Sequence, residues 1–217
     1  MRVAIAGAGN VGRAIARELL GNGHQVLLID KDPKALKLES VPNAEWLLAD
    51  ACEIAALDQA KLDGCQVLVA ATGDDKVNLV ASLLGKTEYG VPRVVARVNH
   101  PKNEWMFDNS WGVDVAVSTP RIISALVEEA VSVGDVVRLF SFRKGEANLV
   151  EITLPDTAAC CGKTVGEIEL PEDASIAAIV RDGHVITPKD HDVFAAGDEL
   201  LFVASAKAEE KLKSCFI

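Results

Sequence analysis

Along the first part of the chain, short apolar runs alternate with longer segments in which apolar residues recur every three or four positions. That rhythm predicts strands separated by helices. The first run, Arg2 to Ala6, leads into a stretch with Val11, Ile15 and Leu19 on one helical face and Arg13 and Arg17 on another, closed by Gly21-Asn22-Gly23. Gln25 to Asp30 reads as the second strand, Pro33 as the first turn of a short helix, and Ala44 to Ala49 as the third strand. A helix is expected from about Glu53 to Ala60, and a buried fourth strand over Val67 to Ala71. Asp74 and Asp75 then stand where they would cap a helix reaching about Tyr89; as two adjacent acids they are too few to hold a hard cation. Arg93 to Val98 and Val113 to Val117 make strands five and six. Strands this apolar, alternating with helices, predict an α/β fold: a doubly wound parallel sheet covered on both faces.

The pattern changes after Gly134. Short strands over Val136 to Phe142 and Leu149 to Leu154, a brief helix near Lys163 to Ile168 and a final strand over Glu199 to Ala204 predict a second, smaller α+β domain. Within it Ile176 to Arg181 and His184 to Thr187 form a hairpin turned by Asp182-Gly183. The expected division is 1–134 and 135–217. Between the fifth strand and the boundary, Trp105, Met106 and Phe107 form one apolar cluster. Ile122, Ile123, Leu126, Val127 and Ala130, behind Pro120, form a helical stripe. Both suit ordinary core, or a surface that pairs across a two-fold axis.

Chemistry concentrates at the end of the first strand. Gly7-Ala8-Gly9-Asn10-Val11-Gly12 is a Gly-x-Gly-x-x-Gly run between strand and helix, and Asp30 follows 18 residues after its last glycine, closing the second strand. This is the dinucleotide-binding context of a Rossmann sheet. Gly7 serves a tight turn, Gly9 lets a pyrophosphate approach the backbone, Gly12 allows close packing, and the helix N-terminus faces the anion. Asp30 accepts from ribose hydroxyls and repels a 2′-phosphate, favouring NAD or an adenosine nucleotide over NADP; otherwise it is an exposed strand-end acid. Lys31 stands beside it. Asp50, Ala51 and Cys52 end the third strand, where they wall an adenine ring or, for Asp50, cap a helix. Ala71, Thr72 and Gly73 end the fourth strand on the same carboxyl edge, with small side chains that leave room for a ligand. Arg97 interrupts an apolar strand, which suits a phosphate contact or a salt bridge at a subunit interface.

Composition narrows the classes. With 22 basic and 32 acidic residues the chain carries −10, which argues against a nucleic-acid partner. Five cysteines without a Cys-x-x-Cys pair suggest neither a disulfide framework nor zinc, and fit a reducing cytoplasm. No metal site is expected, the four histidines have no partners at ligand or catalytic spacing, and no apolar stretch is long enough to span a membrane. Work at a membrane would pass through a partner. An NAD-dependent dehydrogenase is the main alternative, but the 83 residues after Gly134 read as short strands and a hairpin, without a proton-transfer group in a helical cleft. A redox-sensing repressor would need a basic helix-turn-helix module ahead of the first strand, and none is there.

Taken together, the glycine loop, Ile29-Asp30, Ala49-Asp50-Ala51, Ala71-Thr72-Gly73-Asp74-Asp75 with Asn78, and Ala96-Arg97 resemble the RCK regulatory domains of Trk and Ktr type bacterial potassium-uptake systems. Arg181-Asp182-Gly183, Thr187-Pro188 and Ala196-Gly197-Asp198-Glu199-Leu200 are similar to the C-terminal domain that accompanies them. The resemblance covers essentially the whole chain. It implies a non-enzymatic cytoplasmic regulatory subunit, homodimeric or assembled in a larger ring, which binds a nucleotide in the Rossmann pocket and gates a membrane potassium-transporter subunit at the inner face of the membrane. It also implies that the elements after the sheet cross to a second protomer. Where ATP-discriminating members carry an arginine after the second glycine and an acid early in the helix behind the sixth strand, this chain has Asn10 and Pro120. That shifts the expected ligand toward NAD(H), with ADP, ATP and AMP as competitors. Some relatives bind a cyclic dinucleotide in the C-terminal domain, and the resemblance extends that expectation here.

Overall fold

The computed structural model describes residues 1–131, 133–142 and 147–217, apart from the side chains of Glu129, Ala130 and Ser141. The chain divides into two compact units, Met1–Pro120 and Arg121–Ile217. The division comes one residue into the expected helix, ahead of the Gly134 boundary read from the sequence.

The first unit is a six-stranded sheet of β1 (Arg2–Ala6), β2 (Gln25–Asp30), β3 (Glu45–Leu48), β4 (Val67–Ala70), β5 (Arg93–Val98) and β6 (Val115–Ser118), in the order β3-β2-β1-β4-β5-β6. Every pairing is parallel. Strand β1 lies centrally and is buried on both faces, with alternate side chains feeding separate cores. Val3 and Ile5 join Val26, Leu28 and Ala16 beneath α1 (Asn10–Gly21). Ala4 and Ala6 join Leu27, Ile29 and Leu68 beneath α2 (Ile54–Gln59) and α3 (Asp75–Thr87). Each fully buried Leu or Ile here contributes about 1.5–3 kcal/mol, so the carboxyl edge of the sheet rests on a firm base.

The connection from β2 to β3 uses two 3-10 turns, Pro33–Ala35 and Leu38–Ser40, in place of a short α-helix. A 3-10 segment, Pro101–Met106, carries Trp105 and Met106 of the apolar cluster and Phe107 caps its end, but the members part company: Phe107 is buried with Leu79, Val98 and Val113, whereas Trp105 is 77% exposed. Helix α4 (Thr119–Val131) presents Ile123, Leu126 and Val127 more than half exposed, so the stripe is not core. Ala130, its last expected member, lies outside the described side chains.

In the second unit β7 (Val137–Ser141), β8 (Asn148–Thr153), β9 (Ala174–Arg181), β10 (His184–Ile186) and β11 (Glu199–Ala204) form an antiparallel sheet, ordered β10-β9-β11-β8-β7. Helix α5 (Ala206–Phe216) covers one face; Phe216 meets Phe194 and Phe202 edge-on, with ring centres 5.6 and 5.1 Å apart. The expected brief helix is a single 3-10 turn, Val165–Glu167, capped reciprocally by Thr164 and Glu167. Asp182 and Gly183 turn the hairpin with φ of 50° and 74°. Gly197, also left-handed, delivers Asp198 into the interior. There the Asp198 carboxylate accepts Arg181 Nε and Nη2 at 2.6 and 2.7 Å and the Ala195 N–H at 2.9 Å. The Gly-Asp pair is thus the staple that closes the hairpin onto β11.

Candidate functional site

At the carboxyl edge of the parallel sheet the strand ends open into a cavity of about 610 Å³ within the first unit. Its walls bring together Gly7, Gly9, Asn10 and Val11 after β1, Asp30 and Lys31 after β2, Asp50 and Ala51 after β3, Ala71, Thr72 and Gly73 after β4, and Arg97 on β5. Four further lining residues, Ile29, Ala49, Asp74 and Val77, were not expected as site residues. Three of them directly precede or follow an expected one, and Val77 is the α3 residue one turn behind it.

The three loop glycines have separate causes. Gly7 has φ +108°, and a β-carbon there would come within 2.8 Å of the Thr72 nitrogen. A β-carbon on Gly12 would sit 1.9 Å from the Gly7 carbonyl oxygen. Both are dictated by the protein itself. Gly9 is not: its φ is −67°, and a β-carbon would meet nothing within 4 Å. Its missing side chain instead leaves the backbone at the start of α1 open to the cavity, where the first N–H groups of the helix favour an anion.

Ala8 and Gly12 belong to the loop without lining the cavity. The Ala8 N–H donates to Asp30 Oδ2 at 2.7 Å, while Asp30 Oδ1 accepts the Asp32 N–H at 2.9 Å, so Asp30 fixes both the loop and the turn behind itself. Each carboxylate oxygen keeps a lone pair for a further donor such as a ribose hydroxyl. Asp50 accepts the Cys52 N–H at 3.0 Å and pairs with Lys31 at 3.2 Å. The Cys52 backbone bond first, then Lys31, outweigh partial burial and hold its carboxyl below the usual range. Cys52 itself is off the cavity wall, its Sγ facing the Val77 carbonyl at 3.8 Å. Burial, reinforced by Asp50, pushes its thiol up to about 11, so it is no nucleophile near neutral pH.

The far wall rests on Asn78, fully buried on α3. Its Oδ1 accepts the Thr72 N–H and hydroxyl at 2.9 and 2.6 Å, and its Nδ2 donates to the Thr72 and Arg97 carbonyls at 3.2 and 2.9 Å. Arg97 therefore has a fixed backbone, yet its buried Nε has no hydrogen-bond partner among the described residues. A guanidinium on a cavity wall with one unpaired donor, Nε, is matched chemically to an anion.

Asp74 and Asp75 divide their tasks. Asp74 caps α3 by accepting the Lys76 N–H at 2.8 Å. Asp75 caps nothing: buried, it accepts from Asn99 N and Nδ2, His100 N and Asn103 Nδ2 at 2.6 to 3.0 Å, tying the segment after β5 onto α3. Arg13, expected on a polar helix face, is likewise buried and turned beneath the glycine loop. Among the described residues no group of His, Cys, Asp and Glu side chains could hold a metal ion, and no helix is long and apolar enough to cross a membrane.

Comparison with known proteins adds to this geometry. Residues 3–119 match the family model of the TrkA-N domain and residues 149–216 that of the TrkA-C domain. The chain is 57% identical over 212 residues to the Trk system potassium uptake protein TrkA of Mycobacterium tuberculosis, covering 98% of this chain and 96% of that protein. Among solved structures it shares its fold with the GsuK channel bound to NAD, at a TM-score of 0.66 and 18% identity, covering 98% of this chain and 39% of that one. The AMP-bound Kef C-terminal domain of Shewanella denitrificans aligns with 60% of this chain and 80% of its own, at a TM-score of 0.53 and 22% identity.

Proposed function

We propose, from the premise that this chain belongs to the TrkA family of Trk system potassium uptake proteins, that it is a nucleotide-sensing regulatory subunit working on a membrane potassium transporter. The observation that carries the reading is the pairing of Gly9 with Arg97. One is a glycine that neither backbone nor neighbours require, the other a guanidinium whose Nε lacks a partner among the described residues, and both line the same cavity. A diphosphate-bearing nucleotide satisfies both.

NAD(H) fits best. Its pyrophosphate lies along Gly7 to Val11 and against Arg97, one ribose meets Asp30, and the adenine lies by Asp50 and Ala51. ADP, ATP and AMP use the same adenosine wall and compete. The structural relatives bound to NAD and to AMP support this range of ligands. Bound nicotinamide cofactor would supply hydride chemistry only if a proton-transfer group faced it; this chain binds and reports, and turns over no substrate.

The exposed α4 stripe is the surface through which two copies pair, and the dimer or a ring of dimers engages the transporter from the cytoplasmic face of the membrane. A cyclic dinucleotide at the second unit would act as a further effector.

Regulation requires a nucleotide to bind the free subunit and the transporter-bound subunit with different affinities. The test is calorimetric titration of the full chain with NAD, NADH, ADP, ATP and AMP, alone and with the membrane subunit, beside potassium flux in vesicles. Low micromolar or tighter binding that differs between the two states is expected. Equal affinities would remove the coupling, and no binding by folded protein would remove the site. Steady turnover of NADH with a small carbonyl substrate would replace this reading with the dehydrogenase.

A further inference from the structure

Arg13 lies on the first turns of α1 and is only 8% exposed. A buried guanidinium is costly to leave without a countercharge. Its partners are all neutral oxygens: Nη1 donates to the carbonyl of Ala8 and, at 3.4 Å, to that of Ala35, and Nη2 donates to Asn10 Oδ1 at 2.8 Å. No carboxylate pairs with it among the described residues. Arg13 and Asp30 thus hold Ala8 from opposite sides, one through its carbonyl and the other through its N–H.

The bond to Asn10 has a definite sense. A guanidinium carries only donors, so the amide must turn its oxygen to Arg13. The group left for the cavity, which Asn10 lines, is the Nδ2 amide with its two N–H donors. Without Arg13 the amide is free to rotate and present its oxygen, which repels an anion.

We infer that Arg13 is a positioning residue for phosphate recognition: it fixes Asn10 so that the amide N–H groups face the phosphates of a bound nucleotide. The inference rests on the nucleotide-binding reading above. It adds a dependence that the reading does not contain, because Arg13 is not on the cavity wall and acts through Asn10.

The full chain is compared as wild type, R13Q, N10A and the double variant, with ADP affinity measured by calorimetry and adenosine affinity by ligand-observed NMR. R13Q should weaken ADP roughly tenfold while changing adenosine less than about twofold, since only phosphate contacts are lost. N10A should reproduce that loss, and R13Q should add little in the N10A background. Unchanged ADP binding by R13Q overturns the inference, as do equal losses for ADP and adenosine, or losses that multiply in the double variant. If R13Q does not fold, N10A decides, because Asn10 is exposed: unchanged ADP affinity in N10A refutes the positioning role. Wild-type protein that binds none of NAD, NADH, ADP, ATP and AMP ends the nucleotide-binding reading and this inference together; wild-type ADP binding with an R13Q variant indistinguishable from it ends only the inference.

Discussion

Replacing Gly9 by Asp and Gly12 by Ala should separate what the glycine loop does for the fold from what it does for a ligand. Gly9 is the N-cap of α1, with extended backbone angles (φ −67°, ψ −171°), and a β-carbon added there would have no neighbour within 4 Å, so aspartate fits without strain. At an N-cap an aspartate accepts a helix N–H and meets the positive end of the dipole, contributing about 0.3–1 kcal/mol. The ligand-free G9D protein should therefore melt at or slightly above the wild-type temperature. For binding the sign reverses. A carboxylate about 4 Å from a phosphate costs about 4 kcal/mol at an effective dielectric of about 20, roughly a thousandfold in Kd. Gly12→Ala should do the opposite, because its methyl would stand 1.9 Å from the Gly7 oxygen and force α1 away from the loop. Overpacking of that kind costs about 1–3 kcal/mol, enough to lower the melting temperature by several degrees. Scanning calorimetry without ligand and titration calorimetry with NAD read the two quantities separately. A G9D variant that binds NAD within about threefold of wild type, or one destabilised as much as G12A, would refute this account of the loop.

Three further outcomes follow from particular contacts. Desolvation raises the Asp75 pKa, but the donors from Asn99, Asn103 and His100 outweigh it and leave the group below its ordinary 3.8. Its stabilisation is thus complete above about pH 5 and lost as pH falls through the folded-state value; Asp75→Asn should lower stability at pH 7 by about 2 kcal/mol and flatten the acid limb of a urea-denaturation series. Asp198→Ala leaves the part-buried Ala195 N–H unpaired and removes the carboxylate partner of Arg181, which keeps only the Val193 carbonyl, and should destabilise the second unit by about 1–3 kcal/mol in denaturant titration; unchanged stability would show the Asp198 contacts to be dispensable. Leu126→Asp on the exposed α4 stripe should leave secondary structure intact and shift light-scattering mass toward monomer, whereas an unchanged mass would place the pairing surface elsewhere.

Local rules alone determine much of this protein. Apolar runs too continuous for a half-exposed sheet demand a parallel core, Gly7 to Gly12 can serve only a strand-to-helix turn, and Asp182-Gly183 turns a hairpin; each depends on neighbours within a few positions. The strand ends that carry Asp30, Asp50, Thr72 and Arg97 were legible for the same reason, since a parallel sheet brings all its carboxyl ends to one edge. Contacts between segments distant in sequence were not. Asp75 looks like the twin of Asp74, and only the fold carries Asn99 and His100 to it, so that one acid caps a helix while the other anchors a loop. Arg13 has the spacing of a solvent-facing residue, yet a helix beginning at the glycine loop points it at the Ala8 carbonyl. The stripe on α4 has core periodicity, and periodicity records which face is apolar without saying what covers it; only the tertiary structure shows Ile123, Leu126 and Val127 more than half exposed.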